Sequence, residues 1–542
     1  MSPTRRDFLK TISAATLSLA GGGGNALFGL LPGIDLYPHA GDPALKELAA
    51  RALDAARAAG ASYADVRFTL TRLEGLRIPS VHSYQHTADQ EFAGVGVRAL
   101  VDGAWGFASS TLWTADEVAR LATEAAVQAK HNAAAGRRRV ELGPPPAPAN
   151  GEWQTPIRRD PFTVPLAEKI ETGWAFVELA SRYNIGARNA NLGATLDTTW
   201  ERQERTFAST DGAFTSQTVY RVTPSYRLSV QRPRGTGRRS SDLLRPRAGG
   251  WEVLAEAPLR DEVPRLVEEA FLMTEAERIV PDRYDVVLDA RLMTQLVALT
   301  IGTATELDRI LGYEANAGGT SYIASPIDQA EPYAFDTGLL NVRANRSQPD
   351  GLATVRWDDE GVEPEEYDVV RDGVVVDYHT TRELSTELAA WHGRHGLPNR
   401  SRGCAAGEDA LAVTMLQPPN LEMLPGADAT TFDELVAGVK KGLAICAGTV
   451  TVDRQQLNGE INGELVYEIR DGKVVGTVHS SEALFRAPEL WRSLKGIGGR
   501  GSEYRAGITV RKGQPEQVCH FSVGAVPALF EKVAVTNKLR KA

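Results

Sequence analysis

Residues 297–322 read VALTIGTATELDRILGYEANAGGTSY. A strand-like apolar segment at 284–288 precedes them. The stretch begins as a helix and ends in a turn at Gly318-Gly319. Glu306, Asp308 and Glu314 place three carboxylates just past the helix. A pair of them could perform acid–base work. The plainer reading is that they hold the post-helix loop by hydrogen bonds.

Downstream the chain reads as mainly β. Asp372-Gly373 and Asp471-Gly472 are Asp-Gly hairpin turns between β-branched residues. Thr431 to Glu434 forms a capping box, opening a helix with Phe432, Leu435, Val436 and Val439 inward. The glycine-rich run 496–501 lacks the Gly-Lys-Ser/Thr ending of a phosphate loop and reads as a flexible turn.

Upstream, Asp42-Pro43 starts a helix whose apolar face is Leu45, Leu48, Ala49, Ala52, Leu53 and Ala56. Strands are expected at 63–70 and 91–101, then a turn at Asp102-Gly103 and a capped helix from Thr114. The run GPPPAP at 143–148 reads as a stiff linker and a boundary. A helix near 166–183 and a β-rich section to about 234 follow. The basic run at 232–239 reads as a solvated hairpin loop. The expected divisions are 1–40 (leader and linker), 41–142 (α/β), 143–280 (linker and β-rich region) and 281–542 (β-rich).

The 542 residues are 42% hydrophobic and 24% charged, enough for two or three globular domains. A net charge of −9 argues against nucleic acid or an anionic membrane as the main partner. Cys404, Cys446 and Cys519 are too few for a disulfide scaffold. Thr4-Arg5-Arg6-Asp7-Phe8-Leu9-Lys10 matches the twin-arginine export pattern. The run to Ala20 is too short and mild for a stable membrane span. Export to the periplasm or the exterior is expected.

The order of motifs resembles the TldD/PmbA (TldE) metallopeptidase family. The resemblance rests on Gly94-Val95-Gly96-Val97-Arg98 with Gly106-Phe107-Ala108, the run from Glu306 to Asn316, and Gly319-Thr320-Ser321. It continues through VRWDDEG at 355–361, Ser401-Arg402-Gly403-Cys404, Pro419-Asn420-Leu421 and Lys512-Gly513-Gln514-Pro515. It implies an α+β fold, with an α/β N-terminal domain and a β-rich, barrel-like C-terminal domain. It also implies a homo- or heterodimer with a TldD-like subunit, an extended peptide ligand, and zinc in the active members. Those members carry a His-Glu-x-x-x-His segment and a distant cysteine. Histidines five apart cannot share a face of a regular helix, so the helix must widen locally, and the preceding glycine suits that.

On this sequence the two histidine positions fall on Ala298 and Thr303, the glutamate position on Leu299 and the cysteine position on Val510. Zinc needs nitrogen, sulfur or oxygen ligands and a nearby carboxylate base. Ala, Leu and Val offer none of these, and a threonine is a poor ligand. The expectation is a non-zinc, TldE-like subunit or inactive paralogue, needing no cofactor itself and serving peptide proteolysis with a zinc-bearing partner. Gly302, Thr303, Glu306, Tyr313 and Asn316 would line its remaining peptide groove. The alternative is an active metallopeptidase rebuilt around His392, His395 and Cys404, a run otherwise read as an exposed polar loop. Cys519 and His520 are strand neighbours that face opposite sides. His82 and His86 read as surface residues.

Overall fold

A computed structural model describes residues 37–80, 86–136, 138–144, 147–183, 189–233, 235–329, 331–479 and 481–537. The twin-arginine run and His82 lie outside them. Asp42 caps the Pro43–Ala58 helix by accepting from Ala44 N at 2.8 Å, and Leu45, Ala49, Ala52, Leu53 and Ala56 face inward. The N-terminal sheet has eight strands. Along its main path the order is Ala104–Ser110, His86–Val101, Tyr63–Pro79, Asn191–Ser209, Phe214–Arg232 and Asn150–Gln154.

Tyr63–Pro79 pairs with Asn191–Ser209 from Asp65↔Ser209 to Pro79↔Thr195. Strands on both sides of the 143–148 run therefore belong to one sheet, and that run does not divide the layer. Alternation explains why both faces of the sheet are covered. Ala64, Val66 and Phe68 pack under the Pro43–Ala58 and Ala115–Ala135 helices. Further along, Leu76, Ile78, Leu196 and Trp200 pack with apolar residues of the Leu166–Ser181 and Leu259–Glu275 helices. The other face carries Asp65, Arg67 and Thr69, all buried.

The C-terminal half contains a closed five-strand barrel. Asp282–Leu288 pairs with Lys441–Val452, which pairs with Asn458–Arg470. Ser481–Arg486 and Ala528–Asn537 return the pairing to Asp282–Leu288. Asp102-Gly103, Asp372-Gly373 and Asp471-Gly472 each have positive φ at both residues, as a two-residue hairpin of matching twist requires. A six-stranded sheet lies beside the barrel and ends on Gln517–Ala525 and then Tyr504–Lys512 at its edge.

Three local expectations change. The 496–501 run is held in place: Gly498 N donates to Pro527 O (2.7 Å) and Gly499 N to Thr430 O (2.7 Å). A Cβ on Gly499 would sit 1.7 Å from Asp428 O, so close backbone approach accounts for that glycine. The basic run does form a hairpin, between Phe214–Arg232 and Gly235–Ser240. Arg239 in it is buried, however, and bonds Glu269 at 2.6 Å. Residues 389–395 form a helix rather than an exposed loop.

Buried polar contacts join the two halves. Asp359 accepts from Arg67 (3.0 Å) and from Gly407 N (2.8 Å). Glu360 accepts from Arg382 N (2.8 Å) and lies 3.5 Å from Arg98, which also pairs with Asp65 at 2.7 Å. Gly96 admits the C-terminal loop, since a Cβ there would lie 2.0 Å from Ala410 O.

Candidate functional site

Asp289 opens the Ala290–Val297 helix by accepting from Leu292 N at 2.8 Å. The helix then widens into a π turn over Ala298–Gly302, with Thr303 N donating to Ala298 O at 2.9 Å. This is the local widening that two groups five residues apart require. Gly302 sits where a Cβ would meet Leu421 at 2.5 Å. Three threonine hydroxyls bond back to the carbonyls four residues earlier: Thr300 to Leu296 (2.6 Å), Thr303 to Leu299 (3.0 Å) and Thr305 to Ile301 (2.8 Å). Tyr322 OH donates to Thr300 O (2.6 Å), and the Trp491 indole donates to Thr300 Oγ1 (3.0 Å). Buried hydrogen bonds thus fix the unusual turn from several sides.

Its occupants carry none of the zinc chemistry. Ala298 is fully buried, and Leu299 and Val510 pack against the main core. Thr303 is buried with its hydroxyl directed to the Leu299 carbonyl. The residues at the positions where the sequence resemblance puts zinc ligands and base do not fit a zinc ion, because three have no donor atom in the side chain.

Leu299 also lines a groove of about 510 Å³ between the two halves. One wall is the edge strand, with Tyr504 and Ile508; the other includes Arg245 and Pro246. The Arg245 guanidinium lies over the Tyr504 ring at 4.6 Å. Gly507 N donates across the groove to Pro246 O at 3.0 Å. Arg291, on the helix, bonds Asp242 at 2.8 Å. Burial would raise the Asp242 carboxyl, but Arg291 and Arg239 outweigh it and hold the group below its ordinary range.

Just past the π turn lies a buried ionic cluster. Lys512 Nζ donates to Glu306 (2.8 Å), Asp308 (2.7 Å) and Leu416 O (2.9 Å), using all three of its hydrogens. Arg309 donates to Glu306 at 2.5 Å and also to Gly318 O. Burial alone would raise both carboxyls. For Glu306 the Lys512 and Arg309 charges win, and its pKa falls. Asp308 is pushed up to about 6 by burial and by the Glu306 charge, in spite of Lys512. Beside this cluster His379 is buried. It contacts Tyr367 OH (2.6 Å) and Thr305 Oγ1 (3.2 Å), and burial lowers it to about 4.

The five residues expected to line a peptide groove therefore separate. Gly302, Thr303 and Glu306 are buried; Glu306, at 0% exposure, ties the post-helix loop to the end of the edge strand. Tyr313 and Asn316 are exposed, and Tyr313 borders a separate cleft of about 190 Å³ with Trp105 and Glu383.

The alternative ligands also serve elsewhere. His392 is buried, with Nδ1 on Asn399 Oδ1 (3.2 Å) and Nε2 3.8 Å from Asp377. Asp377 is itself held by Arg402 at 2.5 Å. His395 bonds Trp391 O (2.8 Å), its ring centroid 4.3 Å from that of the indole. The Cys404 thiol lies 3.7 Å from Tyr367 OH, and burial pushes it up to about 11, away from the thiolate a metal binds. Among the described residues, no three His, Cys, Asp or Glu side chains are placed to share a metal ion. No helix there is long and apolar enough to cross a membrane. Cys519 is buried on the core side of its strand, while His520 borders a cavity on the opposite face.

That cavity was not anticipated from sequence. The only signal was the period-2 alternation of Asp65, Arg67 and Thr69, which marks a sheet face covered by something polar.

Family models for the PmbA/TldA metallopeptidase C-terminal domain and domain 1 match residues 281–536 and 86–129. A protein described as a metalloprotease from Methanothermobacter thermautotrophicus is 24% identical over 447 residues, covering 82% of this chain and 89% of that protein. Crystal structures share the fold. TldE from Thermococcus kodakarensis has a TM-score of 0.67 at 13% identity, over 91% of this chain and 100% of that one. A Thermotoga maritima protein, described as a proposed modulator of DNA gyrase, has a TM-score of 0.67 at 15% identity with the same coverage.

Proposed function

The chain belongs to the TldD/PmbA metallopeptidase family, and we propose that it serves there as a non-zinc, TldE-like subunit, binding extended peptide beside a zinc-bearing partner. One observation carries this reading: at the positions where the resemblance puts the zinc ligands and base, Ala298 is buried and Leu299 and Val510 are half-buried apolar side chains packed against the core. Filling by hydrocarbon leaves neither ligand nor proton acceptor.

The groove beside Leu299 supports the peptide part. The Tyr504–Lys512 strand is last in its sheet, so its outer edge, apart from Gly507 N, which Pro246 O already takes, offers backbone groups to an added strand. Arg245 stacked on Tyr504 gives that edge an apolar floor and a basic rim. The twin-arginine pattern at residues 4–10 adds export of the folded chain. Any partner acquired before export would then travel with it.

The test is to purify the full chain and assay cleavage of an unfolded peptide, alone and with a zinc-bearing family member from the same source. The chain alone should bind the peptide without cutting it, and native mass should show a dimer with the partner. Chelator-sensitive cleavage by the chain alone would overturn the proposal.

A further inference from the structure

The Gln517–Ala525 strand has two differently used faces. Cys519 and Phe521 point into the core, on the side of the apolar zinc-position residues. Val518 and His520 point the other way, into a cavity of about 350 Å³ between the N-terminal sheet and the C-terminal half. This cavity and the peptide groove are lined by different residues.

Arg205, Arg221 and Arg346 border it. Arg221 is neutralised by Glu201 at 2.6 Å. Arg346 is 4% exposed and donates only to carbonyls, Ala353 O at 3.1 Å and Gly403 O at 2.6 Å. Among the described residues it has no carboxylate within ion-pair distance. Asp358 nearby is held up to about 7 by burial and by Glu360, so it is only about half ionised at neutral pH. Arg205 reaches Asp359 at 3.4 Å, but that carboxylate is more closely held by Arg67 at 3.0 Å. Burial, with Arg221 and Arg346 beside it, lowers Arg205 to about 10 in spite of Asp359.

Arg346 is thus buried with no ion-pair partner among the described residues, and the half-buried Arg205 shares its Asp359 carboxylate with Arg67, a costly arrangement unless an anion completes it. A separate observation points the same way. Gln417 is 8% exposed, borders the cavity, and among the described residues its Nε2 has no hydrogen-bond partner. Glu408 and Asp409 also border the space but are engaged. Glu408 accepts from Val518 N (3.0 Å), and Asp409 accepts from Leu411 N (2.8 Å) and Ala412 N (3.2 Å). Thr71, Gln203 and His520 add neutral polar groups to the wall, and Leu73, Phe92, Val355 and Val518 give it an apolar part.

We propose that this interlayer cavity binds a carboxylate with a short apolar body, the carboxylate between Arg205 and Arg346 with Gln417 donating to it. An amphipathic pocket of this size suits such a molecule better than a bare inorganic anion. The carboxylate could belong to a free acid or to the last residue of a peptide.

Calorimetric titration of the full chain tests this with N-acetyl-leucine, N-acetyl-leucinamide, N-acetyl-alanyl-alanyl-leucine and inorganic phosphate. One N-acetyl-leucine should bind per chain, with the amide and phosphate weaker by about tenfold or more, as the loss of a charge-assisted contact implies. Tighter binding of the peptide identifies a chain terminus as the source, and weaker binding a free acid. Gln417→Leu keeps the volume and should weaken binding by about fivefold or more. Val518→Trp fills the space and should abolish binding while circular dichroism stays native. The proposal fails if N-acetyl-leucine does not bind at about 10 mM, if amide or phosphate binds as well, or if the folded Val518→Trp chain binds unchanged.

Discussion

Two neighbouring pieces of one segment differ sharply. Residues 298–303 form a widened π turn filled by Ala298, Leu299 and Thr303. Residues 306–309, a few positions on, keep a dense set of charges and bury all of them. Backbone shape is held by the threonine, tyrosine and tryptophan hydrogen bonds, which do not need the metal. The charges are held by one another, which they must be once they leave water. Shape and chemistry can therefore part company: the turn is held by neutral hydrogen bonds alone, whereas the cluster cannot lose a member cheaply.

The widest separation of shape from chemistry would come from restoring the ligands. In Ala298→His, Leu299→Glu, Thr303→His and Val510→Cys combined, the π turn already offers the spacing. About one zinc per chain is expected by metal analysis, with a binding free energy on the order of 10 kcal/mol. A folded quadruple variant without zinc would mean the turn is no longer a metal scaffold.

Breaking the cluster comes next. Lys512→Met leaves Glu306, Asp308 and Arg309 without their ammonium in the core, and denaturant unfolding should register a loss of about 3–5 kcal/mol. Thr300→Val strips the turn of one hydroxyl and strands the Trp491 indole N–H. About 1–3 kcal/mol should be lost in the same assay.

The pH dependence sharpens the contrast further. His379 is lowered to about 4 in the folded chain, so the unfolded chain binds the extra proton between its ordinary 6.5 and 4. Stability owed to neutral His379 is full above 6.5 and falls as pH drops through that window. The stability gap between wild type and His379→Gln should narrow by about 1.4 kcal/mol per pH unit there. A constant gap from pH 7 to 4.5 would contradict neutral burial. The smallest effect belongs to Asn316→Ala, on the exposed end of the same segment, within about 0.5 kcal/mol of wild type.

Much of this was legible in advance. The α+β layout, the Asp-Gly hairpins and the capped helices follow from local rules about φ, capping and periodicity, while the widened helix at Gly302 was implied only by the family resemblance. What the sequence hid depends on long-range neighbours. Glu306 looked like a groove residue until Lys512, far along the chain, was seen to cover it. His392 looked exposed because His-Gly-Arg-His is polar, yet its ring is buried beside Asp377. The 143–148 run looked like a boundary, but pairing between residues 65 and 209 carries the sheet past it.

The most direct test of the central claim is zinc content, measured on the full chain purified without chelators. The account predicts less than about a tenth of a zinc ion per chain; about one per chain would mean a complete ligand set exists and the apolar filling at Ala298, Leu299 and Val510 does not describe the functional site.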